Sequence, residues 1–532
     1  RMYSNEKYGI SLKGDVNSYV DENGVTQSKL VEVAQARRFY DAYTSGMGKV
    51  ELGYENKPWA DRFLVGLTYA KNKNQLQLGS GINDLYGGRW SDNNYIMPTI
   101  QYRKNGLFTP GLFVDIFSSY ADSRTDVQDT ARYIYYWSGN PVSLSGLREP
   151  SHFQYKNKSY IARTDFSYYL NKQQSQVLSL NYNFTTNKQI SYDLLEELEN
   201  YRDLSGLPKR LDKHIANLSW QGQWLDDKLS TVLMAKYYGM DVRNTMDERV
   251  YDSDGNLTGG AVNEHHEFFG YKSAGLTLRY LLKKDVGVKA SVERAYRLPD
   301  ITTLFGDGIN VIPNIDIKPE RSDNLNAGAF YNTFIHEDHY INVDITGFLR
   351  NAANYFQQRP VDTKFQYQNI PGARLYGFEF DVKYGYKDLI SFSLNGSYDK
   401  AVVSQRYTDE TKSQELLVYK EQLPNRPWIY GNADLTLSQK DLLGKGTRVE
   451  LTYLNQYIHW FYLSFANLGD PGTKNYVPSQ YIQSALLGFS WKYNRYGISL
   501  EARNLTNELA YDNFRLQKPG RAFYLKLRMS VM

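Results

Sequence analysis

Side chains able to do chemistry are few and poorly grouped in this chain. Its seven histidines are His152, His214, His265, His266, His336, His339 and His459, and only His265 and His266, followed by Glu267, stand together. Neighbouring residues of a strand point to opposite faces, so this trio could gather round a metal only in a loop. Asp252 to Asn256 reads DSDGN and begins like a calcium loop. The later ligand positions and flanking helices of such a loop are missing, which leaves a turn as the simpler reading. Cysteine is absent, excluding thiol catalysis, disulfide frameworks and thiolate-bound metals. No nucleophile elbow, HExxH run or phosphate-binding glycine loop occurs. The expectation is a protein that is not an enzyme, with no cofactor and no metal. Lys plus Arg number 62 and Asp plus Glu 58, for a formal charge of +4. The basic residues are dispersed, which argues against a nucleic-acid partner.

The charges follow another rule, alternation. From Phe523 the chain reads FYLKLRMSV, with Phe523, Leu525, Leu527, Met529 and Val531 on one face and Tyr524, Lys526, Arg528 and Ser530 on the other. Glu501 and Arg503 alternate with Leu500 and Ala502, Arg448 and Glu450 with Val449 and Leu451, and Glu379, Asp381 and Lys383 with Phe378, Phe380 and Val382. One wholly apolar face and one charged face fit a wall between lipid and a wet lumen. There Glu379, Asp381, Lys383, Arg448, Glu450, Glu501, Arg503, Lys526 and Arg528 can grip something inside the lumen through charged hydrogen bonds, or pair with one another across strands.

Such a wall needs many strands. Twenty segments of this kind can be placed, the first at residues 5 to 16, the second at 46 to 56 and the last at 521 to 531. No stretch approaches the eighteen or so apolar residues of a membrane helix, and the best segments match the roughly 9 to 11 residues of a tilted membrane strand. Short connections at Asn56 to Trp59, Asn171 to Gln174, Asp226 to Asp227, Lys283 to Asp285, Ile335 to His339 and Asn494 to Arg495 alternate with long ones such as 122 to 158, 240 to 270, 297 to 323 and 400 to 427. A soluble sheet has no reason to keep its long loops at one end, whereas an outer-membrane barrel keeps short turns in the periplasm and long loops outside. The fold expected is all-β, a transmembrane antiparallel β-barrel.

Aromatic residues make up 15% of the chain. Trp59, Tyr69, Tyr102, Tyr237, Tyr238, Trp428, Tyr430, Trp460 and Tyr462 near segment ends are candidates for interfacial girdles. Tyr133, Tyr136, Trp137, Phe305, Tyr457, Trp460 and Tyr462 fall in long connections and are the candidate ligand contacts, since aromatic faces stack on flat or cyclic ligands. Leu194 to Leu204, LLEELENYRDL, has the spacing of a short surface helix.

Tyr296 to Gly328 reads YRLPDITTLFGDGINVIPNIDIKPERSDNLNAG and resembles a characteristic segment of TonB-dependent outer-membrane receptors. The matching residues are Tyr296, Arg297, Pro299, Asn314, Lys318, Pro319 and Glu320, with Ile317 where the family has Leu. Asn504, Leu505, Thr506 and Asn507 fit the family's Asn-Leu-x-Asn run, Gly520 and Arg521 open its final strand, and Leu423 to Pro427 fits the lead into a late strand. The segments 39 to 61 and 102 to 108 are similar to members from Bacteroidetes-type bacteria, while Met532 departs from the terminal Phe of proteobacterial barrels.

The resemblance implies a barrel of about 22 strands around a plug, of which residues 1–532 would be strands 3 to 22. The plug and first two strands, about 180 to 230 further residues, are then expected upstream. It also implies a place in the outer membrane of a Gram-negative bacterium and TonB-dependent import of a scarce nutrient. No His lies between Arg297 and Ile317, where haem receptors carry one, which counts against haem; the expected full length resembles receptors for ferric siderophores, cobalamin or small glycans, and a ferric siderophore is the first choice as the commonest cargo of such receptors. The partners implied are outer-membrane lipid and lipopolysaccharide, TonB through the N-terminal region, the imported small ligand and a surface lipoprotein. A passive porin-type channel and a structural barrel that scaffolds surface proteins stay open as alternatives.

Overall fold

A computed structural model describes the chain except residues 1, 6–9, 21, 80–81, 131–132, 143–149, 194–207, 248–249, 252–256, 260–261, 308–310, 362–363, 408–411, 469–474, 514 and 531–532. Nineteen long strands form a wall: β1 (Tyr43–Lys57), β2 (Ala60–Gln75), β3 (Arg89–Asn105), β4 (Leu112–Asp129), β5 (Ser151–Tyr169), β6 (Gln176–Asp193), β7 (Lys209–Trp224), β8 (Leu229–Asp247), β9 (Val262–Lys283), β10 (Val286–Arg297), β11 (Glu320–Ile335), β12 (His339–Val361), β13 (Lys364–Tyr386), β14 (Ile390–Val403), β15 (Ile429–Lys440), β16 (Arg448–Ile458), β17 (Gln480–Trp491), β18 (Tyr496–Arg503) and β19 (Ala522–Met529). Each pairs antiparallel with the next. They follow one another round a closed barrel in which β19 comes back beside β1. Among the described residues that seam has no residue-to-residue register, and every residue of β1 is exposed. The short strand Val311–Ile312 joins the sheet by a parallel pairing with β13.

Register carries one apolar face round the wall. Leu527 stands opposite Ile498, Ile498 opposite Phe489 and Phe489 opposite Val449. On β19 that apolar face is left uncovered, with Leu525 60% and Leu527 76% exposed. A soluble protein would bury such a face; in a membrane wall it meets lipid. Short turns close the other end, and three residues make the one between Ile335 and His339. In it His336 and Glu337 take left-handed φ of 51° and 62°, a conformation that glycine and asparagine adopt more readily than other residues.

Buried apolar packing lies instead at the far end, where the upper ends of the strands meet the connections. Ala352, Ile370, Leu375, Val403, Leu423 and Phe465 form one cluster. Leu211, Met240, Leu304, Phe305, Ile317 and Phe356 form a second. Met2, Leu12, Leu85 and Trp137 form a third, and Ile10, Phe461, Val477 and Tyr511 a fourth. Each gathers residues distant in sequence, so the loops are welded into a roof by ordinary burial.

Two expectations need correction. Residues 5 to 16 are not a wall strand: Leu12–Val20 pairs with Thr26–Val33 in a separate hairpin. The apolar residues that mimicked a lipid face, Ile10 and Leu12, are buried in the roof clusters. Two of the long connections, 122 to 158 and 240 to 270, are also strand for much of their length. β12 and β13 have 23 residues each, well beyond the roughly ten that cross the hydrocarbon, and residues 122–129 and 151–158 continue β4 and β5. The helix expected at Leu194 to Leu204 and the DSDGN turn lie outside the described residues. Of the expected girdle residues, Trp59 packs edge-on between Tyr54 and Phe63 beside a periplasmic turn, whereas Tyr238 is buried against Tyr296.

Candidate functional site

The charged residues singled out by alternation share the lumenal face of the wall. Asp381 stands opposite Asp344 and Asn395, and Asn395 opposite Asn432. Lys289 donates to both carboxylate oxygens of Asp344 at 2.7 Å. Lys383 lies 3.3 Å from Asp381, Arg448 2.9 Å from Glu450, and Glu501 accepts from Arg503 at 2.5 Å and Lys526 at 2.7 Å. Arg528 donates to the Asn494 carbonyl at 3.1 Å. These pairs are solvated, so screening by water leaves each of them little to add to the stability of the wall. Glu379 has no ion pair among the described residues. It lines a lumenal groove of about 690 Å³ with Lys289, Asp344, Asp381 and Asn432.

The motif residues of the sequence hold the roof over that lumen. Arg297 lies 3.8 Å from the buried Glu320 and stacks on Phe356 at 5.1 Å. Asp300 caps helix α1 (Ile301–Phe305) by accepting from the Thr303 N–H at 2.7 Å. Asn314 donates to the Tyr367 carbonyl, and Asn369 accepts from the Lys318 N–H, both at 2.7 Å. The YRLP to IKPE segment is therefore a strap folded onto the lumenal side of β7, β8 and β13.

In the Leu423 to Pro427 run, Leu423 is buried and Arg426 pairs with Asp399 and donates to the Tyr355 hydroxyl at 2.8 Å. Burial opposes the Arg426 charge, but Tyr355 and Asp399 outweigh it and hold the guanidinium above its ordinary pKa. Asn504 and Asn507 take left-handed φ of 51° and 55°. Asn504 accepts from the Glu508 N–H at 2.8 Å and Asn507 from the Arg521 N–H at 3.0 Å. Asparagine tolerates that conformation and supplies the side-chain bond that closes the turn.

Under the roof lies a cavity of about 880 Å³. β12 and β13 supply Gln358, Arg359, Phe365 and Asn369, the connection before β15 supplies Leu416 and Asn425, and the connection after β16 supplies Phe465 and Asn475. Amides, one guanidinium and two phenyl rings can take a ligand with oxygen acceptors and an organic shell.

The expected ligand aromatics are not gathered there. Trp137 is 5% exposed, donates from its ring N–H to the Ile82 carbonyl at 3.1 Å and packs in the third cluster. Phe305 is 4% exposed in the second. Tyr457 lies on the lipid side of β16, bonded to His459 Nδ1 at 2.7 Å. Trp460 and Tyr462 do meet, at 5.1 Å, with Tyr476 beside both. Tyr133 is exposed and Tyr136 half-buried at the chain turn before Gly139. The cavity's amides carried no sequence signal, because Asn and Gln in a loop look like any wet connection. The one pointer was the Leu423 to Pro427 run beside Phe465.

The strap, the roof and the two-faced wall are those of an outer-membrane receptor barrel. The chain belongs to the family described as "TonB dependent receptor-like, beta-barrel", whose model matches residues 37–505, and TonB-dependent transport at the outer membrane is that family's function. Among solved structures, the copper transporter OprC superposes with TM-score 0.67 at 13% identity, covering 91% of this chain and 71% of its own. The ferric-catecholate import receptor Fiu from Escherichia coli gives 0.67 at 12%, covering 97% and 79%. The ferric yersiniabactin uptake receptor FyuA from Yersinia pestis gives 0.59 at 12%, covering 97% and 78%. No curated protein matches the chain.

Proposed function

We propose that this barrel takes up a ferric siderophore, captured first in the cavity beneath the roof. The observation that carries the reading is that cavity, about 880 Å³ and lined from three connections, a volume suited to a compact organic chelate. Arg359 and the amides suit the oxygen-rich coordination shell of ferric iron, and Phe365 and Phe465 its organic framework. Fiu and FyuA, each named for a ferric chelate, lend analogy. Tyr133, Tyr136, Trp460 and Tyr462 are added as outer contacts.

A plug gripping the lumenal charges, with Glu379 as its first contact, would couple release to TonB. The separate hairpin, Leu12–Val20 with Thr26–Val33, is largely exposed and would offer a surface lipoprotein a docking edge.

Binding of one ferric catecholate and one ferric hydroxamate to the full-length receptor, measured by fluorescence quenching, tests the cargo. At least one should bind, and Arg359→Gln with Phe465→Ala should weaken it at least tenfold. Absence of binding to either, or binding indifferent to both substitutions, would overturn the reading.

A further inference from the structure

The roof cavity is lined with amides and almost without charge. Among the described residues Arg359 is its one ionised side chain, and no carboxylate, imidazole or phenol lines it. Its polar part is six amides, Gln357, Gln358, Asn369, Asn425, Asn475 and Asn513, set among aliphatic residues and the rings of Phe365 and Phe465. Arg426, next to Asn425 in the chain, is already paired with Asp399 and bonded to Tyr355.

The amides are not equivalent. Asn369 is committed to the strap: it accepts from the Lys318 N–H at 2.7 Å and donates to the Lys318 and Asn354 carbonyls at 2.9 and 2.8 Å. Asn475 accepts from Arg515. Gln357, on β12, and Asn425, on the connection before β15, differ from both. The side-chain oxygen of each is buried with no hydrogen-bond partner among the described residues. A buried acceptor without a donor is costly, and native structures hold few of them. The terminal amide torsion is soft, so a half turn brings either oxygen to the cavity, where a donor on the cargo satisfies it.

Two properties of the cargo follow. It carries outward N–H or O–H groups, because a site built to hydrogen-bond rejects a ligand that lacks the matching group. It also carries little net charge, because one guanidinium offsets one negative charge and any further charge taken from water is heavily penalised. Among ferric chelates these properties separate two chemistries. Three hydroxamates, each a monoanion, leave ferric iron neutral, and a peptide framework holding them supplies amide N–H donors. Three catecholates, each a dianion, leave the chelate triply negative.

We infer that Gln357 and Asn425 are the specificity-determining residues of the cavity, selecting a neutral, donor-bearing ferric hydroxamate over a ferric catecholate. The inference rests on the siderophore reading and narrows it.

Calorimetric titration of the full-length receptor tests it with three probes. These are the ferric tris-hydroxamate of a cyclic hexapeptide, the same chelate with its backbone amides N-methylated, and a ferric tris-catecholate of similar size. The parent should bind the first at least tenfold more tightly than either of the others. Gln357→Leu with Asn425→Leu should bind the first two alike, at the parent's affinity for the methylated chelate, a match that also shows the variant to be folded. Catecholate binding as tight as hydroxamate binding would overturn the inference and leave the siderophore reading standing. Equal weakening of the donor-bearing and methylated chelates by the substitutions would mean that the two amides only shape the cavity, and would overturn it too. Binding of neither class would remove the siderophore reading and this inference with it.

Discussion

At the scale of single residues, the wall tolerates little where strands approach closely. A Cβ built on Gly377 would lie 1.8 Å from the Tyr398 carbonyl oxygen, a backbone atom that cannot swing away. Gly347, on the neighbouring strand, has nothing nearer than 3.8 Å. Gly377→Ala should therefore lower unfolding stability by about 1–3 kcal/mol in urea titrations followed by gel mobility, and Gly347→Ala should not. Equal behaviour of the two would show that the strands are not so close. Arg426 makes a different demand. Asp399 is 6% exposed, and Arg426→Gln would leave its carboxylate without a cation, at a cost of about 2 kcal/mol or more. Limited proteolysis should then cut the connection between β14 and β15 faster than in the parent; an unchanged rate would mean the pair does not anchor it.

Among the elements, alternation located the wall because lipid on one side and water on the other leave a period of two in the sequence. Every expected segment from 46 to 56 onward overlaps a wall strand. What alternation could not separate was an apolar face toward lipid from an apolar face toward other loops, which is why residues 5 to 16, with Ile10 and Leu12 buried in the roof, read as a wall strand. Strand length above the membrane was likewise hidden, since β12 and β13 lose their lipid-facing pattern where they enter the roof yet keep pairing by backbone alone. The lumenal charges were legible by parity. The vestibule was not, because its lining comes from three connections brought together only by folding. Turn chemistry remains improvable: His336 and Glu337 sit in the left-handed region, which costs an ordinary side chain about 1–2 kcal/mol. Replacing them with Asn and Gly, which tolerate that region, should raise urea stability by up to about 1 kcal/mol, and a loss of stability would argue against those backbone angles.

At the scale of the molecule, the apolar surface and the apolar core are in different places. Lipid-facing residues cover the outside of the wall, and burial is concentrated in the roof. The roof therefore follows aqueous folding rules and the wall follows bilayer rules, joined by straps such as the YRLP to IKPE segment. This division suits a receptor that must shape a ligand cavity at its outer end while its lumen stays wet and charged. The central claim is that the assembled receptor imports its cargo by TonB-driven transport. The most direct measurement is uptake of a radiolabelled ferric siderophore bound by the full-length protein, in host cells with and without TonB. Saturable uptake that disappears when TonB is deleted is the predicted result. Uptake that continues at the same rate without TonB would contradict it and indicate a passive channel.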